Sequence, residues 1–115
     1  MRANLLQWQW ELYTQNHVDR RNLIVHIFTV PMFWAGTLSV ITAPFTSLWN
    51  LIPGVVAMVL AVAIQGRTHK MEATPPVPFE GAGDVVSRIF VEQWVTFPRF
   101  VLSGGFAKAW RASAG

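Results

Sequence analysis

The chain has 115 residues, of which 52% are hydrophobic and 13% are charged. Soluble domains carry roughly 25% charged residues, so this composition predicts one membrane-embedded domain over residues 1–115. Nine basic and six acidic residues give a net charge of +3, and the basic residues are scattered, so we expect no nucleic-acid partner. The absence of cysteine excludes disulfides, thiolate metal ligands and a cysteine nucleophile.

The N-terminal segment favours a helix at a membrane surface. Residues 3–16 contain good helix formers, and Trp8, Trp10 and Tyr13 are residue types that gather at membrane interfaces. The alternative is a core helix of a soluble helical bundle. The first 22 residues have no unbroken apolar core, so we expect no cleavable signal peptide.

A long apolar excursion follows. Between Arg21 and Arg67 lie 45 residues without one Lys, Arg, Asp or Glu. Residues 23–41 are long enough to cross the roughly 30 Å hydrocarbon core as a helix, and Pro31 within them predicts a kink that a membrane helix tolerates. After an uncharged turn, residues 48–65 form a second, shorter apolar run. The pattern predicts a transmembrane helical hairpin.

The charges at the two ends of the hairpin predict its orientation. Arg20 and Arg21 precede the first span, and Arg67 and Lys70 follow the second. By the positive-inside rule both termini are cytoplasmic, in an integral protein of a bacterial inner membrane or the endoplasmic reticulum. The competing interpretation is a buried hairpin of a soluble domain. A domain of this length has too little chain to surround two such helices.

Helix starts and breaks outline the remaining elements. Asp19 is a candidate N-cap of the first span, and Asp84 of a helix that begins at Val85 after a proline-rich loop over residues 73–83. The segment after Val85 is amphipathic, and Pro98 bends or splits it. The predicted fold class is all-α, a two-helix membrane hairpin flanked by N- and C-terminal interfacial amphipathic helices.

In that C-terminal segment Arg88 and Glu92 stand four residues apart, so we expect them to pair on one helix face. Gly104 and the glycine after it end the segment, and the tail carries Lys108 and Trp110, which suit an interface. Two spans and one interfacial helix leave apolar surface uncovered, which favours a homodimer in the bilayer.

The three histidines lie in the two polar stretches that flank the hairpin. If the turn centres between residues 45 and 46, residues whose numbers sum to 91 lie at one level. His26 then faces Gln65, and Asn22 faces His69. His17 can fold over this end of the hairpin. Three imidazoles are therefore expected to converge at its cytoplasmic end.

Glu72 lies three residues beyond His69 and shares its face if the helix continues, which adds a carboxylate to the histidines. Imidazole and carboxylate ligands with open positions suit Fe(II), and they also take zinc or manganese. The alternatives are that His26 hydrogen-bonds between helices, that His17 and His69 are solvated, and that Glu72 is an ordinary surface charge.

Tyr13, His17, Asn22, His26 and Pro31 match the pattern Y-x3-H-x4-N-x3-H-x4-P, and a second motif, Q-x3-H, follows at Gln65 and His69. Over about residues 10–100 the chain resembles the small membrane family typified by the yeast endoplasmic-reticulum 2-hydroxy-fatty-acid dioxygenase, the Mpo-like family. It departs from the family pattern at Thr68, where glycine is usual, and at Glu72, where the acidic residue commonly follows the histidine by four positions.

The resemblance implies an Fe(II)-dependent dioxygenase that uses O2 to shorten a 2-hydroxy fatty acid by one carbon. It implies His17, His26 and His69 as metal ligands, with Glu72 as a fourth ligand or a hydrogen-bonding partner. Hydrogen bonds to the ligands would come from Tyr13, Asn22 and Gln65.

A fatty-acid substrate would keep its tail in the bilayer and its carboxylate at the interface. The candidates for binding that carboxylate are the basic residues Arg20, Arg21, Arg67 and Lys70. The other readings are a non-enzymatic membrane scaffold or assembly protein, a haem carrier with His26 and His69 as axial ligands, and a soluble lipid-binding bundle.

Overall fold

The computed structural model describes residues 3–113, and every regular element in that range is helical. The helices are α1 (Leu5–Tyr13), α2 (Arg20–Thr42), α3 (Leu51–His69), α4 (Ala82–Val91), α5 (Phe97–Leu102) and α6 (Gly105–Ser113). Two 3-10 turns, Ala43–Phe45 and Leu48–Asn50, connect α2 to α3. A π-helical turn, Glu92–Thr96, connects α4 to α5. The all-α prediction is confirmed.

The predicted hairpin consists of α2 and α3. The Asp19 side chain accepts a hydrogen bond from the Arg21 amide at 2.9 Å, which confirms the predicted N-cap. With their adjoining turns, the two helices form the segments Arg20–Phe45 and Leu48–His69, each long and apolar enough to cross a membrane. Only 33% and 17% of their most apolar windows are buried within the protein. Most of the apolar surface of the hairpin therefore faces outwards.

Two glycines set the distance between α2 and α3. A Cβ on Gly36 would lie 2.6 Å from the Gly54 carbonyl oxygen, and one on Gly54 would lie 2.9 Å from that of Gly36. Real Cβ atoms do not approach a carbonyl so closely, so any larger residue would force the helices apart. Near the tip, the Ser39 hydroxyl donates to the Asn50 carbonyl at 2.8 Å. These contacts fix which residues of the two helices lie level at the other end.

The N- and C-terminal helices share one core beside the polar end of the hairpin. This core consists of Tyr13, Leu23, Val30, Phe97 and Phe100, all nearly or fully buried. It joins α1, α2 and α5, and α6 packs against it through partly buried aromatic side chains. The C-terminal half is therefore packed onto the end of the hairpin where the histidines lie.

The helix boundaries and one ion pair differ from the prediction. Helix α1 runs from Leu5 to Tyr13 and is shorter than residues 3–16. Helix α4 begins at Ala82, so Asp84 lies within its first turn and is not its N-cap. The guanidinium of Arg88 pairs with Asp84 at 3.3 Å. The expected pair with Glu92 is wrong, because the π-helical turn directs Glu92 towards the histidines.

Candidate metal site

The three histidine rings form a nearly equilateral triangle. The ring centroids are 4.9 Å apart for His17 and His26, 4.7 Å for His17 and His69, and 5.0 Å for His26 and His69. The interplanar angles are 87°, 87° and 81°, so each ring stands almost perpendicular to the other two. His17 and His26 are buried. The structure thus brings together the three histidines that the sequence placed at one end of the hairpin.

The carboxylate at this triangle belongs to Glu92. One potential ligand atom from each of His17, His26, His69 and Glu92 lies within 4.8 Å of the others, so this group could hold a metal ion. Two atoms bound at about 2.1 Å to one ion lie at most roughly 4.2 Å apart. Small side-chain rotations therefore suffice to close the group around a cation.

Hydrogen bonds define which ring nitrogens face the centre. Nδ1 of His17 lies 2.9 Å from the Tyr13 carbonyl oxygen, and Nδ1 of His26 lies 2.9 Å from that of Asn22. A carbonyl oxygen only accepts, so each Nδ1 carries a hydrogen, and in a neutral ring Nε2 then carries the lone pair. Within residues 3–113, the buried Nε2 of His26 has no hydrogen-bond partner. This orphaned atom is oriented as a metal ligand would be.

The electrostatics of the pocket favour a cation at its centre. Burial lowers the pKa of His17, so its imidazole is neutral. Burial alone would raise the pKa of Glu92, but the neighbouring imidazoles of His17 and His26 outweigh it and hold that pKa well below its usual range. Oε2 of Glu92 lies 3.2 Å from Nε2 of His17 and 3.3 Å from Nε2 of His26. A positive charge between this oxygen and the two nitrogens, carried by a proton or by a bound metal ion, stabilises the group.

Tyr13 holds the carboxylate in place. Its hydroxyl donates to Oε2 of Glu92 at 2.9 Å, and its ring stacks on His17 with a centroid distance of 3.7 Å. Burial, together with the charge of Glu92, raises the pKa of Tyr13, so the hydroxyl stays protonated and donates. Such partners orient ligands at metal sites. The predicted role of Tyr13 next to a ligand agrees with this geometry if Glu92 is the ligand.

The π-helical turn explains why Glu92 points inwards. In a π-helix the Gln93 carbonyl would accept from residue 98, but Pro98 has no N–H to donate. The Trp34 indole donates to that carbonyl instead, at 2.6 Å. The wider turn lets Glu92, Gln93 and Thr96 all face the interior. Sequence analysis missed Glu92, although it is the only acidic residue between residues 85 and 113.

Glu72, the carboxylate expected from the sequence, is not part of this group. Helix α3 ends at His69, so Glu72 does not continue on the face of that histidine. Its carboxylate accepts hydrogen bonds from the Val18 and Asp19 amides, each at 3.0 Å, and from Nδ2 of Asn22 at 2.7 Å. The prediction of Glu72 as a ligand is corrected, because both oxygens bind the chain at the start of α2.

The two predicted amide partners occupy different layers. Nδ2 of Asn22 lies 3.5 Å from Nδ1 of His69, as the level pairing predicted, and the Asn22 carbonyl orients His26. Gln65 lies one layer deeper, where it exchanges two hydrogen bonds with Gln93, at 3.0 and 2.7 Å. Asn22 therefore touches two of the candidate ligands, whereas Gln65 supports the turn that carries Glu92.

The basic residues predicted to bind a substrate carboxylate lie elsewhere. Arg20 donates to the Trp110 carbonyl at 2.8 Å and stacks on the Trp110 ring, so it anchors α6. Arg21 is exposed and pairs with Asp19. Among the described residues, Arg67 and Lys70 line neither of the two cavities beside the metal group.

Two cavities open beside His69 and Glu92. One is a small hollow of about 40 Å³, lined among others by Tyr13 and His17. The other, about 260 Å³, extends between α3 and α4. Arg88 lines both cavities, and sequence analysis overlooked it as a cation beside the site. It was overlooked because its helical spacing to Glu92 indicated a surface ion pair.

We compared the chain with protein-family models, curated proteins and solved structures, and none of the three comparisons gave a match. The family resemblance therefore depends on the motif from Tyr13 to Pro31 and on the later Gln65 and His69. Any function must be argued from the site itself, through its three imidazoles, its buried carboxylate and the cavities beside them.

Proposed function

We propose that the protein is a membrane-embedded, Fe(II)-dependent dioxygenase that shortens 2-hydroxy fatty acids by one carbon. The observation that supports this most is the group of His17, His26, His69 and Glu92, whose ligand atoms lie within 4.8 Å of one another. Three nitrogen donors and one oxygen donor suit Fe(II), and a single ion with this set keeps positions open for other ligands. Zinc and manganese are the competing metals.

The apolar surface of the hairpin supports the membrane part of the proposal. Phe28, Phe45 and Trp49 are 73%, 87% and 79% exposed, and the first lies on α2 while the other two lie at the hairpin tip. Water-exposed patches of this extent are unusual for soluble monomers, whereas lipid tails accommodate them. The charge pattern favours cytoplasmic termini, with the metal group at the cytoplasmic end of the hairpin.

The chemistry balances without a further reductant. One 2-hydroxy acid and one O2 give an acid that is one carbon shorter, one CO2 and one water, so the substrate supplies all four electrons. Iron, when bound, supplies the redox chemistry that lets O2 react. The protein residues orient the site, since the carbonyls of Tyr13 and Asn22 hold two imidazoles and the Tyr13 hydroxyl holds Glu92.

A bis-histidine haem is less compatible with this arrangement. The ring centroids of His26 and His69 lie 5.0 Å apart, and His17 and Glu92 converge on the same centre. No slot for a porphyrin remains between the two rings in the described part of the chain. A pure scaffold role leaves the orphaned Nε2 of His26 without an explanation.

The test is iron content and turnover of the detergent-purified full chain. We expect about one iron per chain in the wild type and loss of iron in His26→Ala, because a buried ligand is removed. Ile27→Ala, at the exposed neighbouring position on α2, is the matched control and should keep its iron. Oxygen uptake and mass spectrometry of a 2-hydroxy fatty acid should show equal amounts of O2 consumed and shortened acid formed.

Two results would overturn the proposal. Stoichiometric iron in His26→Ala would remove the ligand assignment, and an iron-loaded protein that leaves 2-hydroxy fatty acids intact would remove the reaction. The membrane part has its own test, since release by alkaline carbonate without detergent would favour a soluble lipid-binding bundle.

A further inference from the structure

Two hollows lie next to each other between α3 and α4. The cavity of about 260 Å³ beside the metal group has polar walls on one side, formed by Gln9, Gln65, His69, Arg88 and Glu92. A second hollow, of about 380 Å³, is lined within the described residues by apolar side chains alone, among them Met58, Val59, Val85 and Phe90. Val62 of α3 and Ile89 of α4 line both hollows. The polar cavity and the apolar hollow are therefore adjacent, with these two side chains at their boundary.

We propose that the two hollows together are a binding site for one amphiphile. Its acyl tail lies in the apolar hollow, here called the acyl groove, which is lined by Met58, Val59, Val62, Val85, Ile89 and Phe90. The head group then lies in the polar cavity, beside His69 and Arg88. The inference rests on the proposed function, to which it adds the position of the substrate and the residues that select its tail.

The distribution of polar groups supports an amphiphile over a wholly apolar ligand. At one end stand the metal group and the polar side chains of Gln9 and Gln65, which suit a polar head group, while the Arg88 guanidinium is held by Asp84. At the other end the walls offer methyl groups and an aromatic ring, which favour hydrocarbon. Because the acyl groove borders the outward-facing side of α3, a tail can enter from the surrounding lipid without crossing water.

Val62 and Ile89 stand on opposite helices at the boundary between the two hollows, and we call this pair the neck. Their side chains therefore determine what passes from one hollow to the other. Val62 is half-buried, and the small side chain of Ala63 beside it also lines the groove. Filling the neck with a larger side chain should separate the tail site from the metal group. Neither residue belongs to the group of candidate metal ligands, so metal binding should be unaffected.

A photoreactive 2-hydroxy fatty acid, with a diazirine in the distal half of its tail, tests the inference. The full chain is reconstituted in lipid nanodiscs, irradiated with the probe, digested and mapped by mass spectrometry. In the wild type we expect labels on residues of the acyl groove. We expect labelling there to fall in Val62→Trp to the level seen on the lipid-facing side of α3, because an excluded tail stays in lipid that is as apolar as the groove.

Val56→Trp is the matched control, because Val56 is an exposed valine of α3 that does not line the acyl groove. Its labelling should equal that of the wild type. Labels in the separate hollow formed by Ile24, Ile27, Phe106 and Trp110 would overturn the inference. So would equal labelling of Val62→Trp and the wild type. Should Val62→Trp fail to fold, the wild-type map decides by itself.

Iron content of the same samples separates this inference from the proposed function. Labels in the acyl groove of a protein that binds no iron would leave the amphiphile site standing and remove the dioxygenase. Iron binding and turnover with labels outside the acyl groove would leave the dioxygenase standing and remove the amphiphile site. Val62→Trp should keep its iron, so loss of labelling there reports on the tail site alone.

Discussion

Nε2 of His26 lies 3.3 Å from Oε2 of Glu92, in a place where the imidazole is fully buried. In the neutral ring, the hydrogen that Nδ1 donates to the Asn22 carbonyl leaves only a lone pair at Nε2. Without a positive charge between them, the Nε2 lone pair and the carboxylate oxygen meet in a buried site, which is costly. A bound cation turns this unfavourable contact into two ligand bonds.

The two buried glutamates should differ in what they do for metal binding. Glu92→Gln should weaken binding of a divalent metal by at least about 100-fold, because loss of a ligand exceeds the roughly 10- to 100-fold effect of losing a ligand's hydrogen-bond partner. Glu72→Gln should leave metal affinity near that of the wild type. It should instead destabilise the protein by about 1–3 kcal/mol, through weaker hydrogen bonds at the start of α2. Competition titrations and thermal unfolding measure the two effects, and a reversed pattern would restore Glu72 as the ligand.

The Tyr13 hydroxyl should contribute to metal affinity through Glu92. Tyr13→Phe keeps the ring that stacks on His17 but removes the hydrogen bond to Oε2 of Glu92. We expect metal affinity to fall about tenfold, at the lower end of the range for such partners. The same titration measures it, with circular dichroism to confirm that the helices are intact. An unchanged affinity would show that packing alone holds the carboxylate.

Close contact of α2 and α3 should depend on two glycines and not on a third. In Gly36→Ala or Gly54→Ala the new methyl group meets the opposite carbonyl, so we expect a loss of about 1–3 kcal/mol in stability. Gly66→Ala, also on α3, is the control, because a Cβ there meets no atom within 4 Å. Thermal unfolding in one detergent gives the comparison. Equal stability of all three variants would contradict the close approach of the two helices.

Arg20 should anchor α6 instead of binding substrate. Arg20→Gln removes the hydrogen bond to the Trp110 carbonyl and the stacking on its ring. We expect tryptic cleavage after Lys108 to become about fivefold faster, which corresponds to about 1 kcal/mol. Arg21→Gln is the control, because the Arg21 side chain is 67% exposed and, within the described residues, forms its ion pair with Asp19 and not with α6. If Arg20→Gln raises the KM for a fatty acid and leaves cleavage unchanged, the predicted carboxylate role returns.

Features that depend on local order could be predicted from the sequence. Forty-five uncharged residues between Arg21 and Arg67 define two long apolar helices, because length and hydropathy are properties of consecutive residues. The equal lengths of the two arms predicted that Asn22 and His69 lie level, and their side chains are 3.5 Å apart. The spacing of Tyr13, His17, Asn22 and His26 also places each imidazole four residues after the carbonyl that orients it.

The fourth member of the metal group was decided only by tertiary structure. Glu72 was closer in sequence to His69, but α3 ends at that histidine and the carboxylate turns to the amides before α2. Glu92 follows Arg88 by four residues, a spacing that would pair the two side chains on a regular α-helix. A π-helical turn rotates Glu92 towards the histidine triangle. The Trp34 indole stabilises this turn by donating to the Gln93 carbonyl, to which Pro98 has no N–H to donate. Packing between distant segments selects which carboxylate faces the histidines, and no pattern of neighbouring residues encodes that choice.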